Sequence, residues 1–203
     1  MTLELDHVIV CVADLDSAAT TFEERFGVRA VGGGRHPGHG TENRIIPLGV
    51  NYIELLAVAD DDEAAGSPFG TWAALQAHGA DAKAVCLRTD DLDEVCARLG
   101  LEASSMSRTT ADGQRLAWRV AGLEHALPRL LPFFIQWDVP PDLHPGRVTV
   151  DHPAVDARLT SVAILGDHVD ELRLWAPDPD GLDYIEAPHR GVTYHIASTQ
   201  RAL

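Results

Sequence analysis

The sequence predicts an α+β fold built from tandem βαβββ modules, with a partial third βαββ unit towards its C-terminal end. Three observations predict it. The tripeptide Asp-Leu-Asp occurs at Asp14-Leu15-Asp16 and again at Asp91-Leu92-Asp93. Each copy sits between a β-branched apolar run and an amphipathic stretch that stops at a glycine, Gly27 or Gly100. After each glycine come further strand-like segments, and an internal repeat of one supersecondary unit is the mark of a duplicated architecture.

Residues 5–12 (LDHVIVCV) form a nearly continuous apolar run of the kind found in a strand buried on both faces, interrupted only by Asp6-His7. Residues 14–26 carry an Asp or Ser cap and apolar positions at Leu15, Ala18, Ala19, Phe22 and Phe26, which predicts a helix ended by Gly27. A second strand starts at residues 28–31. The stretch GGGRHPGHGTEN over 32–43 reads as a Gly-rich loop, and strands follow at 44–48 and 51–58 around a turn at Gly49. The acidic run 60–66 (DDDEAAG) reads as solvated linker. The pattern then repeats: a strand at 84–89, a helix at 91–99 about one turn shorter than the first, and strands at 101–108, 116–121 and 132–137. After a Pro-rich stretch at 140–153 a weaker echo follows, with a strand at 159–165, a helix at 167–175 and a hairpin from 182–187 and 192–197. The expected organisation is module one over 1–58, a linker over 59–82, module two over 83–138, and the Pro-rich connection with the partial unit over 139–203. The modules together make one compact domain.

Composition narrows the function. At 203 residues and 45% hydrophobic, the chain can bury a substantial core. Sixteen Lys and Arg stand against 31 Asp and Glu, a formal charge of −15 that repels nucleic acid and anionic lipid surfaces. No apolar run reaches the roughly 20 residues that cross a bilayer, and the start MTLELDHVIV lacks a basic leader, so the cytoplasm is the expected address. Cys11, Cys86 and Cys96 are scattered and form no C-x-x-C pair, which argues against disulfides and zinc knuckles. The single lysine, Lys83, lies in no phosphate loop, and no G-x-S-x-G elbow is present.

Three motifs carry a resemblance: a module that begins L-D-H-V, the loop G-R-H-P-G-x-G-T-x-N over 34–43 with the strand Y-I-E-L at 52–55, and L-P-F-F-I-Q-W-D over 131–138. Together they resemble the glyoxalase-like domain subfamily of the vicinal oxygen chelate superfamily, which includes glyoxalase I, extradiol dioxygenases and bleomycin-resistance proteins. The resemblance covers 1–138 well and 156–203 loosely. It implies that the two modules form a cupped mixed sheet around a divalent metal (Zn, Mn, Fe(II) or Ni), with ligands on the first and last strands of each module. His7 and Glu54 fall on those positions in module one, and an imidazole with a carboxylate is a suitable donor set. Module two departs from the pattern. Ala84 stands at the position of His7, and Gln136, laid over Glu54, is the provisional third metal ligand. Glu186, His36, His39 and His144 stay open as alternatives for it.

The same resemblance places the 32–40 loop at the rim of the cup. There Arg35 would clamp a substrate carboxylate or enolate, and His36 and His39 would shuttle protons as the catalytic histidines. Glu42 stands where relatives often carry a histidine. Asn43, Tyr52, Phe134 and Trp137 complete the expected substrate contacts. Strand alternation puts Phe134 and Gln136 on one face and Phe133, Ile135 and Trp137 on the other, with the Gln136 face expected in the cup. Trp118 and Trp175 are expected as packing residues, and His152, His168 and His189 as exposed. The expected activity is that of a metal-dependent lyase, isomerase or dioxygenase on a small oxygenated metabolite. The alternatives are a metal-free binding or resistance protein that uses the same cup, and a structural or assembly role. The expected state is monomer or homodimer.

Overall fold

Strand β1 (Leu3–Cys11) is buried along nearly its whole length and forms the centre of the molecule. The computed structural model describes residues 1–77, 81–110 and 113–200. Around β1 the chain adds α1 (Leu15–Phe26), β2 (Val31–His36), β3 (Thr41–Pro47) and β4 (Tyr52–Val58). The second module supplies β5 (Ala84–Thr89), α4 (Leu92–Leu99), β6 (Ala103–Thr109), β7 (Arg115–Ala121), the short α5 (Leu123–Ala126) and β8 (Phe133–Trp137). Eight strands make one curved sheet in the order β2-β3-β4-β1-β5-β8-β7-β6. The order is symmetric about the antiparallel β1–β5 seam, since β1 pairs in parallel with β4 and β5 in parallel with β8. The tandem βαβββ reading therefore holds at the level of strand order.

The repeated tripeptide does the same work twice. Asp14 accepts a hydrogen bond from the Ser17 N–H and Asp91 from the Glu94 N–H, each the N-cap of its helix. Both helices end at a glycine with φ +66°, Gly27 and Gly100, where a left-handed residue closes the last turn.

Four expectations are corrected. The 32–43 stretch is a hairpin rather than a loop: β2 and β3 pair antiparallel from Val31–Ile45 to His36–Thr41 with a bulge at Gly32, and only residues 37–40 turn. Glycine is needed there because β2 lies so close to β3 that a methyl on Gly33 would run into the Asn43 backbone carbonyl and side-chain oxygen. The 59–82 stretch, of which 78–80 fall outside the described residues, carries helices α2 (Asp61–Ala65) and α3 (Pro68–Gln76). Asp60 and Ser67 cap them, Pro68 starts α3, and Ala64, Gly70 and Ala73 are buried, so the acidic run solvates one face of a packed helix. Strands β10 (Asp183–Glu186) and β11 (Gly191–Gln200) do not pair with each other. They flank β9 (Ala154–Gly166), β10 in parallel and β11 antiparallel, in a separate three-stranded sheet. Of the three histidines expected to be exposed, His189 is, His152 is half-buried and hydrogen-bonds the Arg29 N–H and the Pro47 carbonyl, and His168 is buried.

The third unit closes the convex side of the main sheet. Helix α6 (Val169–Trp175) lays Trp175 on Phe134, ring centroids 6.0 Å apart, and the indole N–H donates to the Pro132 carbonyl at 2.8 Å. The bonds Leu5 N–H to Asp180 O and Asp180 N–H to Leu3 O, both 2.8 Å, tie its loop to β1. Residues 201–203 of the expected partial unit lie outside the described residues. Among the described residues, no helix is long and apolar enough to cross a membrane.

Because Gly33 admits no side chain, Gly33→Ala is expected to lower stability by about 1–3 kcal/mol in urea unfolding. A variant as stable as the parent protein would refute the tight β2–β3 approach.

Candidate functional site

Alternation selects the concave face. Every second residue points into it: His7 and Ile9 from β1, Asn43 and Ile45 from β3, Tyr52 and Glu54 from β4. The second module sends in Met106 and Arg108 from β6, Trp118 and Val120 from β7, and Phe133, Ile135 and Trp137 from β8. The cavity itself is small, about 70 Å³, within a depression of about 600 Å³ that includes open solvent at its mouth. The two edges of the sheet meet at one point, where Arg108 on β6 donates from Nη1 to the Gly33 carbonyl of β2 at 2.9 Å. One half of the cup is polar and the other, Arg108 apart, is apolar.

Beneath the cup sits Asp6, with no solvent exposure. A bulge in β1 between Leu5 and His7 makes Asp6 the extra residue, so that it and His7 serve the same region of the interior. The carboxylate accepts three N–H donors: His7 Nδ1 at 2.7 Å, His144 Nε2 at 2.9 Å and Trp137 Nε1 at 3.0 Å. Burial opposes its charge, but the bonds from His144 and His7 outweigh burial and hold its pKa well below the carboxylate range. His144 Nδ1 accepts from the Gly146 N–H, so its proton lies on Nε2, towards Asp6.

The proton on His7 Nδ1 goes to Asp6, which turns Nε2 to Glu54 Oε2 at 3.4 Å. Burial disfavours a charged His7 ring, yet Cys86, Asp6 and Glu54 around it raise its pKa well above the usual histidine value. Tyr52 stacks on the ring with centroids 4.4 Å apart. Glu54 is 7% exposed and ionised: burial raises its pKa, but His7, His36 and Asn43 bring it down to about 2. Asn43 distributes its amide fully. Oδ1 accepts from the Gly34 N–H, and Nδ2 donates to Glu54 Oε1 at 2.6 Å and to His36 Nε2 at 3.2 Å. His36 Nε2 therefore accepts, its proton lies on Nδ1 towards Thr41 Oγ1 at 3.0 Å, and the ring is neutral, in line with a pKa lowered chiefly by burial.

The structure brings together His7, Glu54, Asn43, Tyr52, His36 and Trp137 from the expected set, with His39 at the rim, its Nδ1 2.8 Å from Ser67 Oγ. Three others lie elsewhere. Gln136 points away from the cup: its Nε2 donates to the Asp90 carbonyl and its Oε1 accepts from the Leu92 N–H at the start of α4. Phe134 shares that face and packs under α6. The ladders give the reason. Ile9 stands opposite Glu54 in β1–β4, while its repeat counterpart Cys86 stands opposite Phe133 in β5–β8, so Phe133 and not Gln136 is the equivalent of Glu54. A misalignment by an odd number of residues exchanges the two faces of a strand. Arg35 is exposed beside Glu63, 3.8 Å away, and the cation that lines the cup is Arg108. The sequence signal for it was the alternation of Met106 and Arg108 with the exposed Ser105 and Ser107. Glu186, an alternative third ligand, is exposed on the small sheet, and His144 is committed to Asp6.

The residues present do not fit the family-type metal. His7 and Glu54 face Ala84 and Phe133 at the equivalent positions of module two, and neither supplies a donor. The ring of Phe133 lies edge-on to His7 with centroids 5.7 Å apart. Among the described residues, one group of metal-type donors lies within 4.8 Å, Asp6, His7 and Cys86, all buried. In that group Asp6 is filled by three N–H donors, and burial pushes the Cys86 thiol up to about 12.

The sequence matches the glyoxalase-like domain family over residues 5–178. A hypothetical protein from Staphylococcus aureus has a similar structure, with a TM-score of 0.72 at 19% identity over 93% of this chain and 88% of that one. Streptomyces coelicolor methylmalonyl-CoA epimerase in complex with 2-nitronate-propionyl-CoA gives a TM-score of 0.49 at 17% identity over 68% of this chain and 97% of that one. Methylmalonyl-CoA epimerase from Mycobacterium tuberculosis gives 0.47 at 22% identity over 69% and 90%. At 19% identity the likeness to the Staphylococcus aureus protein is one of fold. No curated protein matches the sequence.

Two measurements check the network. Asn43→Ala removes donors from Glu54 and His36 and is expected to cost about 1–3 kcal/mol in urea unfolding at neutral pH. Glu54 has a folded pKa of about 2 against an ordinary 4.5, so its contribution to stability is present above pH 4.5 and lost as pH falls towards 2. Asp6 acts with the same sign, and Asp6→Asn is expected to flatten the acid limb of the stability profile; an unchanged limb would contradict the three-donor arrangement.

Proposed function

The chain belongs to the glyoxalase-like domain family, and from that premise we propose that its cup binds a small oxygen-bearing carboxylic acid. We further read the site as moving a proton on the carbon beside the carbonyl, an isomerase-type reaction that proceeds without the family-type divalent ion. One observation carries this reading: a single guanidinium, Arg108, and a buried carboxylate–imidazole pair, Glu54 and His7, line the same largely apolar cavity.

The roles follow from the donors. One Arg108 N–H goes to Gly33, which leaves others of the five for a substrate carboxylate. Glu54 takes the proton as the C–H bond breaks, and the bonding pair moves to the carbonyl oxygen as an enolate. The Arg108 charge offsets that oxyanion in a site whose walls, Trp118, Phe133, Ile135 and Trp137, exclude water. Return of the proton from Glu54 to the same carbon gives exchange with solvent hydrogen, and its return to a neighbouring atom on the same face completes an isomerisation with no net change in atoms or electrons. His7, fixed by Asp6, holds Glu54 in place from β1, the strand between β4 and module two.

A second reading, sequestration of the ligand without turnover, is favoured by the occupied state of Glu54, since Oε1 accepts from Asn43 and Oε2 faces His7. The metal-dependent lyase or dioxygenase reading rests on His7 and Glu54 alone and draws no support from module two.

Deuterium exchange at the carbon beside the carbonyl of 2-oxo acids, followed by proton NMR on chelator-treated protein, separates these readings. Exchange is expected, slowed by about 10²-fold or more in Glu54→Gln, with binding weakened by about tenfold or more in Arg108→Gln. Binding without exchange selects sequestration. Near-stoichiometric divalent metal in purified protein, lost in both His7→Ala and Glu54→Ala, would overturn the metal-free chemistry.

A further inference from the structure

The cup does not end at its mouth. His39, Phe69, Met106, Val120 and Leu123 line both the cup and a larger groove that continues from it, about 1530 Å³ counted to open solvent. One wall of this groove is α3, from the segment between the modules, where Phe69 and Trp72 stack at 5.9 Å with planes 18° apart and leave a flat, half-exposed aromatic surface. The facing wall comes from module two, with Leu101, Leu127 and Pro128. The charged residues along it are Glu102 and Glu124; among the described residues that line it there is no lysine or arginine.

We propose that the ligand has two parts, a compact oxygenated acid head in the cup and an uncharged apolar tail, alkyl or aryl, in the groove between α3 and the β6–β7 side of module two. The inference deepens the reading of the cup given above and rests on it. Continuity argues for a single ligand, because five residues belong to both spaces. Charge argues for the nature of the tail. A polyphosphate handle, as on a nucleotide or a coenzyme thioester, would lie along two carboxylates with no lysine or arginine to meet it, only the imidazoles of His39 and His125, on a chain of net charge −15. An apolar tail would instead gain burial against the Phe69–Trp72 surface.

The test is calorimetric titration of the full chain with straight-chain 2-oxo acids of increasing length, beside a coenzyme A thioester that carries a carboxylate head, malonyl-CoA. The expected result is affinity that tightens about fourfold per added methylene until the groove is filled, with malonyl-CoA binding more weakly than the long acids. Trp72→Ala and Leu101→Asp, each checked for folding by thermal melting, are expected to reduce the dependence on chain length. Short acids that bind with no gain from length, or tighter binding of malonyl-CoA, would overturn the two-part ligand while leaving the cup reading standing. A flat length series with a light-scattering mass near twice 21.9 kDa would assign the groove to a second copy of the chain and also overturn it. Failure of every acid to bind would overturn both readings.

Discussion

A carboxylate with no access to water organises this molecule. An unpaired charge at Asp6 would cost far more than a domain of this size has to spare, so its position is tolerable only with donors on every side. The three N–H groups that satisfy it come from three places in the chain: the neighbouring ring of His7, Trp137 on the last strand of module two, and His144 in the Pro-rich connection. One group thus ties the central strand, the opposite half of the sheet and the long connection to the third unit. The same bond fixes which nitrogen of His7 carries its proton towards Asp6, and so which nitrogen meets Glu54. The electrostatics of the cup begin below its floor.

The two modules share a strand order but have different chemistry. Module one places His7, Asn43, Tyr52 and Glu54 on the concave face, each hydrogen-bonded or stacked within the group. Module two places Trp118, Val120, Phe133 and Ile135 there, with Arg108 at its far edge. The β1–β5 seam is therefore also a border between a hydrogen-bonded half and an apolar half. A ligand across it would meet polar groups on one side and hydrocarbon on the other, which is how a small site fixes orientation.

Much of this was legible in the sequence, and the particular errors have physical causes. The repeat, the caps at Asp14 and Asp91 and the stops at Gly27 and Gly100 are local signals that survive without tertiary information. His7 and Glu54 were reached through the resemblance, which puts them on the first and last strands of module one, and Asn43 and Tyr52 were expected beside them as substrate contacts; alternation then turns all four to one face. Gln136 and Phe134 were not, because their placement depends on the register between β5 and β8, which hydrogen-bond ladders set and composition does not reveal. Arg108 escaped notice for a related reason: alternation with Ser105 and Ser107 gives the face of β6 that it shares with Met106, but only the contact between β2 and β6 brings that face over the cup. Arg35, adjacent in sequence to a true cavity residue, His36, points the other way because neighbours on a strand always do. Helices α2 and α3 were hidden by brevity and acidity, although Asp60 and Ser67-Pro68 are ordinary helix starts.

The pair Ala84 and Phe133 also bears on what this chain can become. A four-donor centre would need both positions to turn polar together. Either change alone, a histidine at Ala84 or a carboxylate at Phe133, would leave a polar group without a partner in a wall that is otherwise hydrocarbon, at a cost of a few kcal/mol. The hydrocarbon wall of module two therefore limits its own substitutions: at Ala84 and Phe133 a polar side chain must arrive with a partner, from the protein or from a bound ligand, whereas the solvent-facing rim and groove carry no such condition.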